Sequence, residues 1–160
     1  MASEEIGQGY FSKDIEEFLA VLSTHRVEFL VVGGEAVIFH GHARLTGDID
    51  LFYAFTTKNI ERLHAALFDF WGGVIPGITS PTDFKDGMIL QFGVPPNRID
   101  LLNQIDGVSF EEAWRNRVET RLQLPTGPLT LNYINKAELR KNKLASGRPK
   151  DLQDLQFLDS

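Results

Sequence analysis

At 160 residues, with 42% apolar and 24% charged positions, the chain has the length and usage of one globular domain with a single sizeable core, and a second domain is not expected. A net charge of −6 argues against broad, nonspecific nucleic-acid binding, although a local basic patch could still hold RNA. The lack of cysteine excludes disulfides, thiolate zinc and a cysteine nucleophile; with no membrane-length apolar run and an acidic start at Met1-Ala2-Ser3-Glu4-Glu5, a cytoplasmic protein with no membrane role is expected.

Helices and strands then alternate. Ser12 is placed to cap a first helix with acidic residues in its first turn, and Ile15, Phe18, Leu19 and Leu22 fall on one face of it. Residues 27–32 read as a strand, 34–41 as a short helix and 48–53 as a second strand. Thr56 or Thr57 caps a helix to about Phe68, with Ile60, Leu63, His64 and Leu67 turned inward. The Gly-, Pro-, Ser- and Thr-rich stretch 72–87 is turn-forming and is expected as a mobile loop over the site. Strands follow at 88–93 and 98–103. Ser109-Phe110-Glu111-Glu112 spells a capping box opening a brief helix. Residues 117–124 and 128–131 form a hairpin, and helices run over about 132–145 and 149–158, making 132–160 a helical segment. No internal repeat or low-complexity stretch interrupts this order.

The chemistry concentrates in two places. In a strand, side chains at i and i+2 share a face, so Asp48 and Asp50 project together while Ile49 and Leu51 turn into the core. Two carboxylates held side by side repel and lose solvation, a cost most easily offset by a divalent cation, and oxygen-only ligands suit Mg²⁺ or Mn²⁺. A solvated strand end explains poorly two acids flanking an apolar residue and followed by aromatic ones. Upstream, Gly33-Gly34 closes the run Phe29-Leu30-Val31-Val32, and residues without Cβ atoms at a helix entrance let backbone N–H groups approach phosphate oxygens. An isolated Gly-Gly is otherwise a tight turn. A phosphate cradle beside a metal pair implies a nucleoside triphosphate.

Other residues stay open on the sequence. Arg44 can neutralise phosphate charge or pair with Glu35, and Thr46 can contact the ligand or bond locally in the turn. Asp100, in Asn97-Arg98-Ile99-Asp100-Leu101-Leu102, takes the face opposite Ile99 and Leu101, and on spacing alone is a solvent-facing residue or a partner of Arg98. Residues 136–150 carry six of the sixteen basic side chains. Such a run is usually a solvated helix face, yet Lys136, Arg140 and Lys143, at i, i+4 and i+7, could line one face. Gly147 is placed to end that helix, and Pro149 with Asp151 to start the last. His40-Gly41-His42, with no further His or Cys nearby, does not make a zinc site, and His25 and His64 read as helix-surface or core-edge residues. No Gly-x-Ser-x-Gly or Walker-type lysine loop is present.

Gly33-Gly34, thirteen intervening residues, Asp48-Ile49-Asp50 and the later Asp100 together resemble the DNA polymerase beta-like nucleotidyltransferase superfamily. The likeness is to its small stand-alone members: minimal nucleotidyltransferases, lincosamide-modifying enzymes and the nucleotidyltransferase toxins of abortive-infection systems. The Arg44-x-Thr46-x-Asp48-x-Asp50 form and the Lys143–Asp151 segment look most like a bacterial branch of that group, and the match covers roughly residues 27–155.

The resemblance implies an α/β (α+β) nucleotidyltransferase fold in one domain, with a mixed, mostly antiparallel-edged sheet backed by helices. It implies metal-dependent transfer of a nucleoside monophosphate from a triphosphate such as ATP. Asp48, Asp50 and Asp100 would hold Mg²⁺ or Mn²⁺, Asp100 also preparing the acceptor oxygen, and Gly33, Gly34, Arg44, Thr46 and Lys143 would contact the nucleotide. A small molecule such as an antibiotic, a tRNA end or a protein side chain each fits as the hydroxyl acceptor. The alternative is a nucleotide-binding toxin–antitoxin component or binding module with little turnover, and a homodimer or an antitoxin is the protein partner left open.

Overall fold

The computed structural model describes residues 5–41, 48–94 and 97–159 of the chain. After a two-residue strand β1 (Glu5–Ile6), helix α1 (Lys13–Thr24) starts where Ser12 Oγ accepts the Ile15 backbone N–H at 3.3 Å. Asp14 and Glu16 then place negative charge beside the unpaired N–H groups of its first turn. Ile15, Phe18, Leu19 and Leu22 recur at helical spacing and are all buried.

Strand β2 (Phe29–Val32) is buried at every position, the pattern of a strand covered on both faces, and it runs without a linker into α2 (Gly33–Phe39). Strand β3 (Asp48–Tyr53) leads to α3 (Thr57–Phe70), capped by Thr56. The buried stripe of α3 is Asn59, Leu63, Ala66 and Leu67, rotated slightly from the expected one, so that Ile60 and His64 are only half-buried. Asn59 tolerates burial because its amide donates to the carbonyls of Glu28 and Ala54 while its oxygen accepts the Glu28 N–H, tying α3 to the β2–β3 end.

The remaining elements are β4 (Ile89–Phe92), β5 (Arg98–Leu102), α4 (Phe110–Arg115), β6 (Val118–Leu124), β7 (Gly127–Tyr133), α5 (Lys136–Ser146) and α6 (Pro149–Leu158). At α4, Ser109 accepts the Glu112 N–H as expected, while Glu112 turns its carboxylate to Lys141 of α5 at 2.9 Å. The strands form a seven-stranded sheet in the order β1-β6-β7-β2-β3-β5-β4. Its β1–β6, β7–β2 and β3–β5 pairs are parallel and the others antiparallel, so the mixed sheet has one antiparallel edge, β4, where mostly antiparallel edges were expected. Together the described elements make one mixed α/β arrangement built on this sheet. No helix among the described residues is long and apolar enough to cross a membrane.

The stretch 72–87 differs from its expectation as a loop over the site. Its turns are present, with Asp83 accepting from the Thr79 and Ser80 N–H groups, but Ile75, Ile78 and Phe84 are buried and hold it to the core. None of its residues lines the cleft described next. Apolar side chains spaced through a turn-rich segment thus bind it to the core, as satellite apolar clusters do under long loops.

Candidate active site

Strands β3 and β5 pair in parallel with Asp48 opposite Arg98 and Asp50 opposite Asp100. Since Ile49, Leu51, Ile99 and Leu101 are drawn into the core, the intervening acids of both strands are left on the other face. One carboxylate oxygen from each of Asp48, Asp50 and Asp100 lies within 4.8 Å of the others. Thus Asp100, which spacing alone left as a surface residue or an Arg98 partner, joins the Asp48–Asp50 pair and also pairs with Arg98.

The glycine pair meets this cluster from β2, whose Val32 lies opposite Asp50. Gly33 has φ +66°, and a Cβ there would stand 2.1 Å from Asp50 Oδ2. Only glycine satisfies both the left-handed backbone and the close approach. Gly34 follows it in the first turn of α2.

The electrostatics are unbalanced. Arg98 Nη2 donates to Asp48 Oδ2 at 2.5 Å, and its Nε lies 3.3 Å from Asp100 Oδ1. One guanidinium thus faces three carboxylates. Burial, and then the charges of Asp48 and Asp100, push Asp50 up to about 7. Asp100 is raised too, chiefly by burial. Asp100 is only 7% exposed, and its buried Oδ1 accepts no hydrogen bond, the Arg98 Nε standing 3.3 Å away without making one. A buried oxygen with an unused lone pair in an acidic cluster is what a hard cation with oxygen ligands requires, so the donor set fits Mg²⁺ or Mn²⁺.

From Asp50 and Asp100 a cleft of about 400 Å³ extends between Ile89 of β4 and the α5–α6 corner. Asn135 starts α5 by accepting the Glu138 N–H at 2.7 Å, Gly147 ends it in the left-handed conformation, and Pro149 opens α6. This corner brings Lys143 and Arg148 to the cleft. Lys143 is buried, and its ammonium lies 3.2 Å from both Asp151 Oδ1 and Asp154 Oδ2. Asp151 also accepts from Ser146 Oγ at 2.6 Å and Arg148 Nε at 2.9 Å. Burial alone would raise the Asp151 pKa, but hydrogen bonds from Arg148, Ser146 and Lys143 hold it well below the usual carboxylate range.

The basic stripe expected on α5 therefore divides. Lys143 lines the cleft with its charge committed to α6, whereas Arg140 turns to Asp159. Arg148, which the sequence marked only as one of a basic run, carries the accessible guanidinium, its side chain 75% exposed. It stands close enough to feel the charges of Asp106 and Asp50. The sequence signal that could have found it is the Arg148–Asp151 spacing at a helix start, which fixes the arginine stem at the corner.

Arg44 and Thr46 lie outside the described residues, as does His42. Glu35, offered as a partner for Arg44, is buried and accepts hydrogen bonds from Tyr10 Oη and Tyr133 Oη at 3.1 and 3.2 Å, with its pKa raised by burial. His40 bonds the Ile134 carbonyl at 2.8 Å and His25 meets Asp69. Among the described residues no histidine joins the carboxylate cluster.

The sequence model of one protein family, described as nucleotidyltransferase of unknown function (DUF6036), matches residues 12–157. That span contains both strands of the carboxylate cluster, the glycine pair and the α5–α6 corner. No curated protein sequence matches the chain.

Proposed function

Because the chain belongs to the family of nucleotidyltransferases of unknown function (DUF6036), we propose that it is a cytoplasmic, metal-dependent enzyme. It moves a nucleoside monophosphate from a nucleoside triphosphate to a hydroxyl acceptor. The observation that carries this reading is the meeting of Asp48, Asp50 and Asp100, one oxygen of each within 4.8 Å of the others and Asp100 Oδ1 buried without a hydrogen bond.

Asp48, Asp50 and Asp100 would hold Mg²⁺ or Mn²⁺. When bound, the cation supplies positive charge to the phosphate oxygens and lowers the pKa of a nearby hydroxyl. The rest falls to the chain. The Asp100 carboxylate accepts the acceptor's hydroxyl proton as that oxygen attacks the α-phosphorus. A bond forms between the acceptor oxygen and the α-phosphorus, the bond from that phosphorus to its bridging oxygen breaks in line, and pyrophosphate leaves. The backbone of Gly33 and Gly34, with Arg44 and Thr46, meets the triphosphate, and Arg148 offers a planar guanidinium at the cleft mouth. Lys143 supports the wall through Asp151 and Asp154 rather than reaching out as a free cation.

The test is incubation with each α-labelled triphosphate, Mg²⁺ or Mn²⁺, and a pool of tRNA, followed by a search for label on RNA, protein and small molecules. Label on one of the three identifies the acceptor class. A nucleotide-binding toxin–antitoxin component with little turnover is the second reading, favoured by Arg98, which already answers two of the three carboxylates. Triphosphate binding without label on any acceptor supports it.

A further inference from the structure

Arg98 stands where the proposed metal chemistry leaves no ordinary part for an arginine. It opens β5 two residues before Asp100 and directly opposite Asp48, and its side chain crosses the strand pair instead of extending into solvent. Its Nη2 is bonded to Asp48 Oδ2 at 2.5 Å and lies 3.4 Å from Asp100 Oδ2, while its Nε is buried 3.3 Å from Asp100 Oδ1. A single guanidinium therefore spans two of the three carboxylates, and Asp50 is left with no bond to it among the described residues.

A six-coordinate Mg²⁺ takes oxygen lone pairs at about 2.0–2.1 Å. The Asp48 lone pair that faces Arg98 is already used, and the Asp100 carboxylate has the same cation beside both of its oxygens. Two cations sharing two carboxylates at this spacing repel each other. The Arg98 side chain is 34% exposed, so it has a way out without unfolding β5.

We propose that Arg98 is an internal counter-ion that holds the place of the divalent cation, and that metal entry displaces its guanidinium from Asp48 and Asp100. This inference rests on the metal-dependent reading of the site. It makes Arg98 a positioning residue, since it acts on the metal's ligands and not on the reacting atoms. It also gives the site a preference. A cation that arrives on a triphosphate is held also through the phosphates' contacts with the cleft that Gly33 and Arg148 line, whereas the hydrated ion has the carboxylates alone, so the complex competes with Arg98 better. Arg98 thereby disfavours idle metal binding and favours the metal–nucleotide complex.

Mn²⁺ titrations followed by the free-ion electron paramagnetic resonance signal test this on the folded chain, with Asp50→Asn as the ligand-deficient control. The Arg98→Gln variant is expected to bind bare Mn²⁺ at least tenfold more tightly than wild type. Arg98→Lys, which keeps the charge but loses the fork, should fall between them. The gain should shrink when Mn²⁺ is supplied with a non-hydrolysable triphosphate. Because Arg98→Gln leaves the acids unneutralised and can unfold, the wild-type Arg98 Nε–H is also followed by ¹⁵N NMR, where Mg²⁺ saturation should raise its solvent exchange at least tenfold. Equal Mn²⁺ affinity in wild type and Arg98→Gln, or an Nε–H signal unmoved by saturating Mg²⁺, overturns the inference and leaves the metal reading standing. Folded proteins that all fail to bind Mn²⁺, with or without triphosphate, overturn both.

Discussion

Gly33 touches Asp50. The missing side chain of one makes room for the carboxylate of the other, since a Cβ at Gly33 would lie 2.1 Å from Asp50 Oδ2 and 3.0 Å from its Cγ. The turn from β2 into α2 and the position of a candidate ligand are thus one constraint.

A pair of alanine substitutions separates the two parts of that constraint. Gly33 and Gly72 have nearly the same left-handed backbone, φ +66° and +65°, but nothing lies within 4 Å of the Cβ position at Gly72. Gly72→Ala should cost about 1–2 kcal/mol, the strain of a left-handed non-glycine residue, and leave transfer intact. Gly33→Ala should cost more, roughly 2–4 kcal/mol, because Asp50 must also move, and should abolish transfer. Urea unfolding and label transfer read both. Equal destabilisation at the two positions would show that the contact with Asp50 is relaxed at no cost.

The raised pKa of Asp50 fixes a sign for the pH dependence. Between the unfolded carboxyl value, about 3.9, and the folded value of about 7, the native state binds the extra proton. Stability of the metal-free protein should therefore fall as pH rises through that window, by at most about 1.4 kcal/mol per pH unit from this group. Asp100, raised in the same direction, adds to the trend, whereas the depressed Asp151 contributes stability that is lost only in the acid range, as pH drops below about 4. Metal needs the ionised carboxylates, so the stabilisation given by Mg²⁺ should grow from pH 5 to pH 8. Melting curves across that range with and without Mg²⁺ check both slopes, and Asp50→Asn should flatten the metal-free one.

Asp48→Asn and Asp50→Asn should both abolish transfer yet differ in stability. Asp50 repels its two neighbours and has no bond to Arg98, so Asp50→Asn should raise the metal-free melting point at pH 8, by roughly 1 kcal/mol or about 2–4 °C. Asp48 is the nearest partner of Arg98, and its loss should bring no such gain. Differential scanning calorimetry of the two variants compares them directly; full transfer by both would show that neither aspartate holds a required metal.

At the α5–α6 corner, stability and ligand binding should come apart. Asp151→Ala leaves Lys143 buried with Asp154 and should cost about 3–5 kcal/mol. Arg148→Gln should change the melting point little but weaken triphosphate binding roughly tenfold, the loss of one charge-assisted contact. Calorimetric titration with a non-hydrolysable triphosphate measures the second effect. Undiminished affinity in Arg148→Gln would remove Arg148 from the phosphate site.

What was legible in the chain was local. Period two along Asp48-Ile49-Asp50-Leu51 decided which side chains share a face, and Ser12 and the Thr56–Thr57 pair marked helix starts, of which the structure uses Ser12 and Thr56 as caps. What was hidden depends on partners distant in sequence. That Asp100 joins Asp48 and Asp50 was expected from the family resemblance alone: it follows from a β3–β5 pairing that passes over β4 in the chain, and no spacing encodes it. Arg98 was visible as a neighbour of Asp100 but not as a bridge to Asp48, and the burial of Lys143 depends on how α6 docks. Strand β1, two residues paired to β6, is too short to show any period.

The parallel pairing of β3 with β5 also sets an order of events. Asp50 and Asp100 are fifty residues apart in the chain, and the cleft closes only with α5 and α6 beyond them. A ribosome-bound chain that has emerged through β3 carries Asp48 and Asp50 but neither Asp100 nor Arg98. On the proposed reading, divalent ions and nucleotide would meet a complete site only after the long-range β3–β5 pairing is made, and non-local pairing of this kind costs loop-closure entropy before it is rewarded. Ligand-induced protection should accordingly spread over the whole sheet in hydrogen exchange, since the native state alone can bind.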